Sequence, residues 1–381
     1  MITENSDLLI ITGEVSGDLI GAALIKELRN LNSTLKTVGI GGNKMKAEGL
    51  EVIYHIDQMA FLGFVEVLKH LPFIKKVQRN LLALVEKRNI KNAVLIDYPG
   101  FNLSIAKSLK ARGVKIIYYV SPQIWAWGKN RINKMKSLVD KMLVVFPFEK
   151  DLYEKNRIDV EFTGHPLVER VNQYNFLSKE ELYSKFNLEK DKELLLIMPG
   201  SRNQEIKKIF PESIKATTRL ANIFNMQTVV ACSENMNENI FNNLVGSGSF
   251  KLIKGFNYDL MKHAKFGIIK SGTSTLEAGY FSLPMIIVYR TSFLSYFIGR
   301  QLITLDRIGM VNILLDEKVV PELIQSDVNE NTIFSEVKKI LSDKNKYDLT
   351  ISKLKNIKTK LGNIGASENA AKIIFGLLND A

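Results

Sequence analysis

One cysteine, Cys232, in 381 residues leaves no intrachain disulfide to form and suits a reducing compartment. It follows the apolar run 228–231, so it reads as a buried structural thiol rather than a nucleophile. Histidine is also scarce. The four present are well separated, without H-E-x-x-H or comparable spacing, so no metal site is predicted. No apolar run reaches the roughly 18 residues that a membrane span requires. The amino terminus, MITENSDLLII, has no basic region ahead of its short apolar run, which is not the pattern of a secretory signal. RNP, zinc-finger and heptad signatures are missing too. The chain does have 46% apolar residues, ample for two cores, and a length that predicts about two domains. Its net charge is +12, from lysines scattered along the whole chain. That pattern favours an anionic substrate or a cytoplasmic membrane surface over nucleic acid.

The stretch around which the rest is organised is 194–206, LLLIMPGSRNQEI. Five apolar residues read as a buried strand, and Pro199-Gly200 punctuates a turn. Ser201 with Gln204 three residues on reads as a capping box. A helix starting there presents free N–H groups and a positive dipole end beside Arg202, which suits a diphosphate. The plainer reading is an ordinary turn with a solvated arginine.

In the first half, residues 8–12 read as a buried strand and 18–29 as an amphipathic helix. Between them GEVSGD (13–18) carries Gly13 and Gly17, which permit a tight turn and the close approach of another group. The spacing is neither G-x-G-x-x-G nor a Walker loop, so a plain dinucleotide or P-loop assignment fails. Residues 36–40 followed by Gly41-Gly42 read as the second strand and turn. Residues 59–76, MAFLGFVEVLKHLPFIKK, read either as a core-facing helix broken at Pro72 or as a greasy, basic-edged flap that touches lipid. A strand at 93–96 ends in Asp97. Groups at strand C-ends face the crevice of an open parallel sheet, where a carboxylate can take a proton from a substrate hydroxyl. Capping of its own turn is the alternative. Asn102 reads as a cap for the next helix. After the strand 115–120, SPQIWAWGKNR (121–131) holds both tryptophans near Lys129 and Arg131, as a sugar face, a lipid interface or a packing wedge. His165, on a Gly-Pro turn, is structural or a ligand contact. Strand–helix alternation implies a parallel sheet covered on both faces. The polar segment 172–191 reads as the crossing to a second domain.

In the second half, 270–279, KSGTSTLEAG, sets Ser271, Thr273, Ser274 and Thr275 around Gly272 at a helix start. Such hydroxyls and N–H groups suit a phosphate, and Glu277 suits paired ribose hydroxyls. The same letters also spell a Ser274/Glu277 capping box. Two such loops at strand C-ends in one domain favour the phosphate reading. Residues 285–305, with Arg290 and Arg300, read as a core helix or a second membrane-facing surface. Asn312 precedes an apolar run, and VPELIQ follows at 320–325. The tail 341–381 is helical in pattern and lysine-rich.

Two α/β halves with diphosphate-type loops in the second describe a GT-B glycosyltransferase: two Rossmann-like doubly wound domains, with a C-terminal helix packing back on the N-terminal domain. The chain also resembles the lipid-A-disaccharide synthase family. The matching stretches are GEVSGD (13–18), GFVEVL (63–68), IDYPGFN (96–102), YYVSPQIWAW (118–127), TGHP (163–166), PGSR with Glu205, SGTSTLE (271–277) and PELIQ (321–325), in consistent order over nearly the whole chain. It departs from the family's pattern at Val311, where Pro is expected, and at Lys270, where a small residue is usual.

The resemblance implies an acceptor-binding domain at 1–168 and a UDP-sugar donor domain at 169–345. A helical segment, 346–381, returns to the first domain or to a partner subunit. The implied reaction joins UDP-2,3-diacylglucosamine to the 6-hydroxyl of 2,3-diacylglucosamine 1-phosphate, with inversion, giving a β-1,6 disaccharide 1-phosphate and UDP. No cofactor or metal takes part, and the enzyme works peripherally at the inner face of the cytoplasmic membrane. Homodimers that exchange C-terminal parts are also implied. Asp97 becomes the general base, while Arg202 and helix N-termini stabilise UDP. Substrate contacts are assigned to Glu14, Ser16, Gly17, Asn102, Gln123 and His165 in the first half. In the second they fall to Ser201, Glu205, Ser271, Gly272, Thr273, Thr275, Glu277, Asn312 and Gln325. The rival readings are a UDP-N-acetylglucosamine 2-epimerase on the same fold and a non-enzymatic membrane or nucleic-acid binder.

Overall fold

A computed structural model describes residues 7–59, 70–124, 131–233, 236–246, 250–291 and 306–379. The chain divides into two compact units, Met1–Arg170 with Leu361–Ala381, and Val171–Lys360.

The first unit runs β1 (Leu8–Ile11), α1 (Val15–Leu31), β2 (Thr37–Gly41), α2 (Asn43–Ala47), β3 (Leu50–His55), α3 (Leu71–Lys87), β4 (Asn92–Ile96), α4 (Pro99–Lys110), β5 (Lys115–Tyr119), α5 (Arg131–Leu138), β6 (Lys141–Val144), α6 (Pro147–Lys155), β7 (Val160–Phe162) and α7 (Pro166–Asn172). All strand pairs are parallel, in the order β3-β2-β1-β4-β5-β6-β7. Every residue of β1, β2, β4 and β6 is buried, as expected of strands covered on both faces. The helices contribute single stripes. Val77, Leu81 and Val85 of α3, spaced by four, are its buried face. Pro72 lies in the first turn of this helix, where a residue needs no intrahelical N–H donor. The remainder of the proposed flap, 60–69, lies outside the described residues, as do 125–130 with both tryptophans.

Asp18, the last residue of GEVSGD, is buried. Its carboxylate accepts the backbone N–H groups of Gly42 (2.7 Å), Lys44 (3.0 Å) and Met45 (3.0 Å), capping α2.

The second unit holds α8 (Lys179–Lys185), β8 (Glu193–Met198), α9 (Asn203–Phe224), β9 (Met226–Cys232), α10 (Asn239–Val245), β10 (Lys251–Lys254), α11 (Asn257–His263), β11 (Ala264–Lys270), α12 (Thr273–Tyr280), β12 (Met285–Tyr289), α13 (Met310–Leu315), β13 (Glu322–Ile324), α14 (Glu330–Leu341) and α15 (Lys344–Lys360). Its sheet is also parallel, in the order β10-β9-β8-β11-β12-β13. The segment 285–305 is therefore corrected: it opens as a buried strand, not a helix, and pairing of β12 with β11 and β13 decides this. Residues 292–305 lie outside the described set. The polar stretch 172–191 contains α8, whose start Ser178 caps. The stretch is fixed to its own unit by Asp259, which accepts Leu177 N–H at 2.8 Å and the Tyr174 hydroxyl.

The last helix, α16 (Ala366–Asn379), belongs to the first unit, where it packs on α1. The expected return at residue 346 begins instead at Leu361, because α15 packs on α12 and α13 of the second unit. Glu169 anchors the start of α16. Its carboxylate accepts Ser367 N–H (2.7 Å) and Oγ–H (2.6 Å), while Asn369 Nδ2 donates to Thr163 O at 3.1 Å. Charge-assisted bonds of this kind contribute about 1–3 kcal/mol. Glu169→Ala is therefore expected to lower stability by about that much, read as an earlier midpoint in denaturant. An unchanged midpoint would show that α16 is held by its apolar face alone.

Candidate functional site

In the second unit the winding reverses between β8 and β11, and the loops leaving these neighbours open a crevice. A cavity of about 230 Å³ lies there, lined among others by Ser201, Glu205, Lys270, Ser271, Gly272 and Thr273. Gly200 turns with φ +115°, and a Cβ there would lie 2.3 Å from Glu205 Oε2. The turn and the Glu205 side chain thus require glycine at this position.

The cap differs from the expected Ser201/Gln204 box. The extended Arg202 is the N-cap of α9, its side chain makes no cap bond, and Glu205 Oε2 reaches back to Ser201 N–H at 3.2 Å. Glu205 also pairs with Lys270 Nζ at 2.8 Å and stands 3.9 Å from Arg202 Nη1. Arg202 is 64% exposed and does not line the cavity. The Ser274/Glu277 box is likewise corrected: Gly272 is the N-cap of α12, so Ser274 already lies inside the helix and lines the cavity. Thr275 is buried with its hydroxyl on Gly272 O (2.7 Å), and Ser271 donates to Ile308 O (2.9 Å). The N–H groups of Ser271 and Thr275 are taken by Val288 O and Gly272 O, so the donors left to the cavity are the N–H groups of Gly272, Thr273 and Ser274 and the Thr273 and Ser274 hydroxyls. Glu277 sits one turn further along α12.

Sequence reasoning missed Ser233 and Asn257, which also line the cavity. Each stands close after the end of a strand, β9 or β10, the relation that singled out the loops after β8 and β11.

In the first unit the reversal lies between β1 and β4, and the loops there are GEVSGD and Asp97-Tyr98. Asp97 and Tyr98 are both left-handed, with φ +45° and +47°. Each such non-glycine residue costs about 1–3 kcal/mol. Four side-chain hydrogen bonds support this turn. Asn102 Nδ2 donates to Asp97 O (2.7 Å) and Ile96 O (3.2 Å), Tyr118 OH to Asp97 O (2.6 Å), and Tyr98 OH to Met59 O (2.8 Å). Asn102 thus supports the turn from within α4. It does not cap the helix, whose N-cap is Tyr98. A Cβ at Gly13 would fall 2.4 Å from the Tyr98 ring, so a glycine there lets the loop after β1 close on the loop after β4. Glu14 is exposed at the N-cap of α1 and Ser16 in its first turn, where Gly17 packs on Thr12 Oγ1. Burial, and then the neighbouring Glu14 charge, push the Asp97 carboxyl up to about 6 against the Tyr98 backbone N–H.

Other expected contacts have their side chains engaged locally. His165 Nδ1 accepts Leu167 N–H at 3.0 Å, and its ring packs on Phe146. Burial and the Arg170 charge lower its pKa to about 3, so it is neutral. The buried Asn312 donates to Val320 O (2.9 Å) and Glu322 Oε1 (2.8 Å) and accepts Val320 N–H (3.1 Å). Gln325 Oε1 accepts Thr291 N–H at 2.8 Å. Gln123 is exposed, beside Ser121, whose hydroxyl donates to the buried Glu149 at 2.7 Å.

The family model for lipid-A-disaccharide synthetase matches residues 8–374. Among curated relatives, the lipid-A-disaccharide synthase of Geobacter metallireducens is 38% identical over 377 residues, covering 98% of each chain. That of Coxiella burnetii is 37% identical over 375 residues, covering 98% of this chain and 99% of the other. Among solved structures, a putative UDP-N-acetylglucosamine 2-epimerase from Listeria monocytogenes superposes with a TM-score of 0.67 at 11% identity, over 99% of this chain and 98% of that one. The UDP-GlcNAc 2-epimerase of Neisseria meningitidis, bound to UDP-GlcNAc, gives 0.65 at 15% identity, over 98% and 100%. A calicheamicin glycosyltransferase gives 0.63 at 12% identity, over 99% of each chain. At such identities the likeness is one of fold, the GT-B arrangement of two parallel-sheet domains.

The raised Asp97 pKa carries a stability signature. Between about pH 4 and 6 the folded state keeps a proton that the unfolded chain has released. The contribution of this group is therefore full below about pH 4 and lost as pH rises through 6. Asp97→Asn is expected to exceed the parent in stability at pH 8 by about 1–3 kcal/mol, with the gap closing below pH 4. Denaturant melts at both pH values measure it, and a gap independent of pH would refute the assigned burial.

Proposed function

The chain belongs to the lipid-A-disaccharide synthase family, hexosyltransferases of lipid A biosynthesis, and on that premise we propose its substrates and the roles of its residues. The donor is UDP-2,3-diacylglucosamine and the acceptor 2,3-diacylglucosamine 1-phosphate. Asp97 takes the proton from the acceptor 6-hydroxyl as that oxygen attacks the anomeric carbon. The bond from that carbon to the diphosphate oxygen breaks, UDP leaves with the electron pair, and the configuration inverts to a β-1,6 link. Arg202 and the N-termini of α9 and α12 meet the charge that develops on UDP, with no cofactor or metal in the scheme.

The observation that carries this reading is Asp97 itself. It is a carboxylate at a strand C-end beside the winding reversal, held in a strained backbone, with its pKa pushed up to about 6. A base with that value is ionised at neutral pH yet still basic enough to accept a proton. Two supports for the nucleotide are the cavity between β8 and β11 and the UDP-GlcNAc bound by the Neisseria meningitidis epimerase of the same fold. The epimerase activity is the weaker alternative here, because the likeness to those enzymes is structural while the match to the synthases extends through the sequence.

Both substrates carry acyl chains, which favours work at the inner face of the cytoplasmic membrane. Among the described residues no helix is long and apolar enough to cross it. A homodimer that exchanges C-terminal parts would form the α16-on-α1 contacts between subunits instead of within one chain.

With acylated donor and acceptor, Asp97→Ala is expected to lose about 10²–10⁴-fold in kcat and Arg202→Ala most of its turnover, both remaining folded. Parental kcat/KM should fall on the acid side with a midpoint near pH 6. Parental activity in both variants would overturn the roles. Turnover only of a non-acylated UDP sugar would overturn the substrates.

A further inference from the structure

The cavity between β8 and β11 contains a cation that the proposed roles leave unused. Lys270 ends β11 and lines the cavity with its side chain 21% exposed, whereas Arg202 stands outside at 64%. Among the described residues its one ion-pair partner is Glu205, 2.8 Å away and 15% exposed. An ammonium group has three N–H donors, so a single carboxylate oxygen leaves it able to bridge to a second anion.

Glu205 is held independently of that pair. Its other oxygen accepts Ser201 N–H, and the Gly200 turn is shaped around it. A fixed carboxylate facing a cavity lined by the first residues of α12 disfavours any anion, unless a cation stands between them. Lys270 occupies that position. A second feature points to a ligand in the cavity: Asn257 Oδ1, on the same lining, is a buried acceptor without a hydrogen-bond partner among the described residues.

We propose that Lys270 is the diphosphate-binding cation of this cavity, screening Glu205 and bridging it to the phosphates of a uridine diphosphate. The inference rests on the donor-site reading above and extends it to a residue that reading does not use. Glu205 is then the anchor that aims the ammonium, and no metal ion is needed to place a positive charge inside the crevice.

The test is calorimetric titration of the full-length protein with UDP and, separately, with uridine, at about 0.05 and 0.2 M salt. Lys270→Gln keeps a polar group for Glu205 but removes the charge. It is expected to weaken UDP binding about tenfold at the lower salt, to flatten the salt dependence, and to leave uridine affinity unchanged. Lys270→Arg, which restores the charge, should bind UDP within about threefold of the parent and guards against a folding defect in the first variant. Parental protein that binds UDP while Lys270→Gln binds it equally well overturns the inference alone. Equal losses for UDP and uridine also overturn it, since the defect would then be structural. Parental protein that binds neither ligand overturns the donor-site reading and this inference with it.

Discussion

The reversal of winding in each parallel sheet is the constraint on which the functional geometry depends. A right-handed crossover from β1 runs toward β2 and one from β4 toward β5, so the two loops between these strands leave in opposite directions and cannot fill the space between them. The same holds at β8 and β11. Every polar group on those four loops then sits at a strand C-end with backbone N–H groups nearby. The crevices follow from topology, before any side chain is chosen. In the proposed scheme the chemistry is added by Asp97, just after β4, in one unit, and in the other by Lys270 at the end of β11, paired with Glu205 in the first turn of α9.

At Asp97 the backbone is held against its own preference. Two consecutive left-handed residues, neither a glycine, together cost several kcal/mol by the usual scale of about 1–3 each. The carbonyl of Asp97 receives two donors, from Asn102 and Tyr118, and Tyr98 is tied through its hydroxyl to Met59. These bonds fix the main chain and leave the carboxylate's orientation to the strained turn. The raised pKa has the same origin, because a turn that brings Asp97 under cover beside Glu14 also removes the water that would stabilise its charge. In the proposed reaction the feature that destabilises the fold at neutral pH is the one that makes the carboxylate basic.

Much of this was legible in the sequence, and the failures have common causes. Apolar runs such as LLII and LLLIM predicted their strands because both faces are buried and no alternation is needed. Strand order was not legible, since it depends on pairings such as β1 with β4 across more than 80 residues. β12 was hidden because MIIVY continues into further apolar residues, and periodicity does not separate a buried strand from a helix there. The two capping boxes failed for one reason. In each loop a residue with unhelical backbone, Arg202 or Gly272, took the N-cap, which shifted the hydroxyl and its Gln or Glu partner out of register. Asp18 and Asn312 fell within recognisable motifs, yet one caps α2 and the other fastens α13 to the strand after it. A motif marks where a fold is demanding, and scaffold residues are as demanding as ligand contacts.

The carboxylate of Glu205 at a proposed anion site looks like an electrostatic error until its other bonds are counted. It closes the Gly200 turn by accepting Ser201 N–H, so removing it would free the loop that begins α9. The fold thus keeps a negative charge beside the crevice for structural reasons. A negative charge about 4 Å from a phosphate is worth roughly 4 kcal/mol of repulsion at an effective dielectric near 20. The exposed Arg202, 3.9 Å from Glu205, is too solvated to cancel this alone. Lys270, nearer and more sheltered at 2.8 Å, makes the local charge neutral before any ligand arrives. An incoming diphosphate then meets a neutral pair at a helix start instead of a bare carboxylate. The first backbone N–H groups of α12, those of Thr273 and Ser274, which no side chain caps, add their share of the attraction.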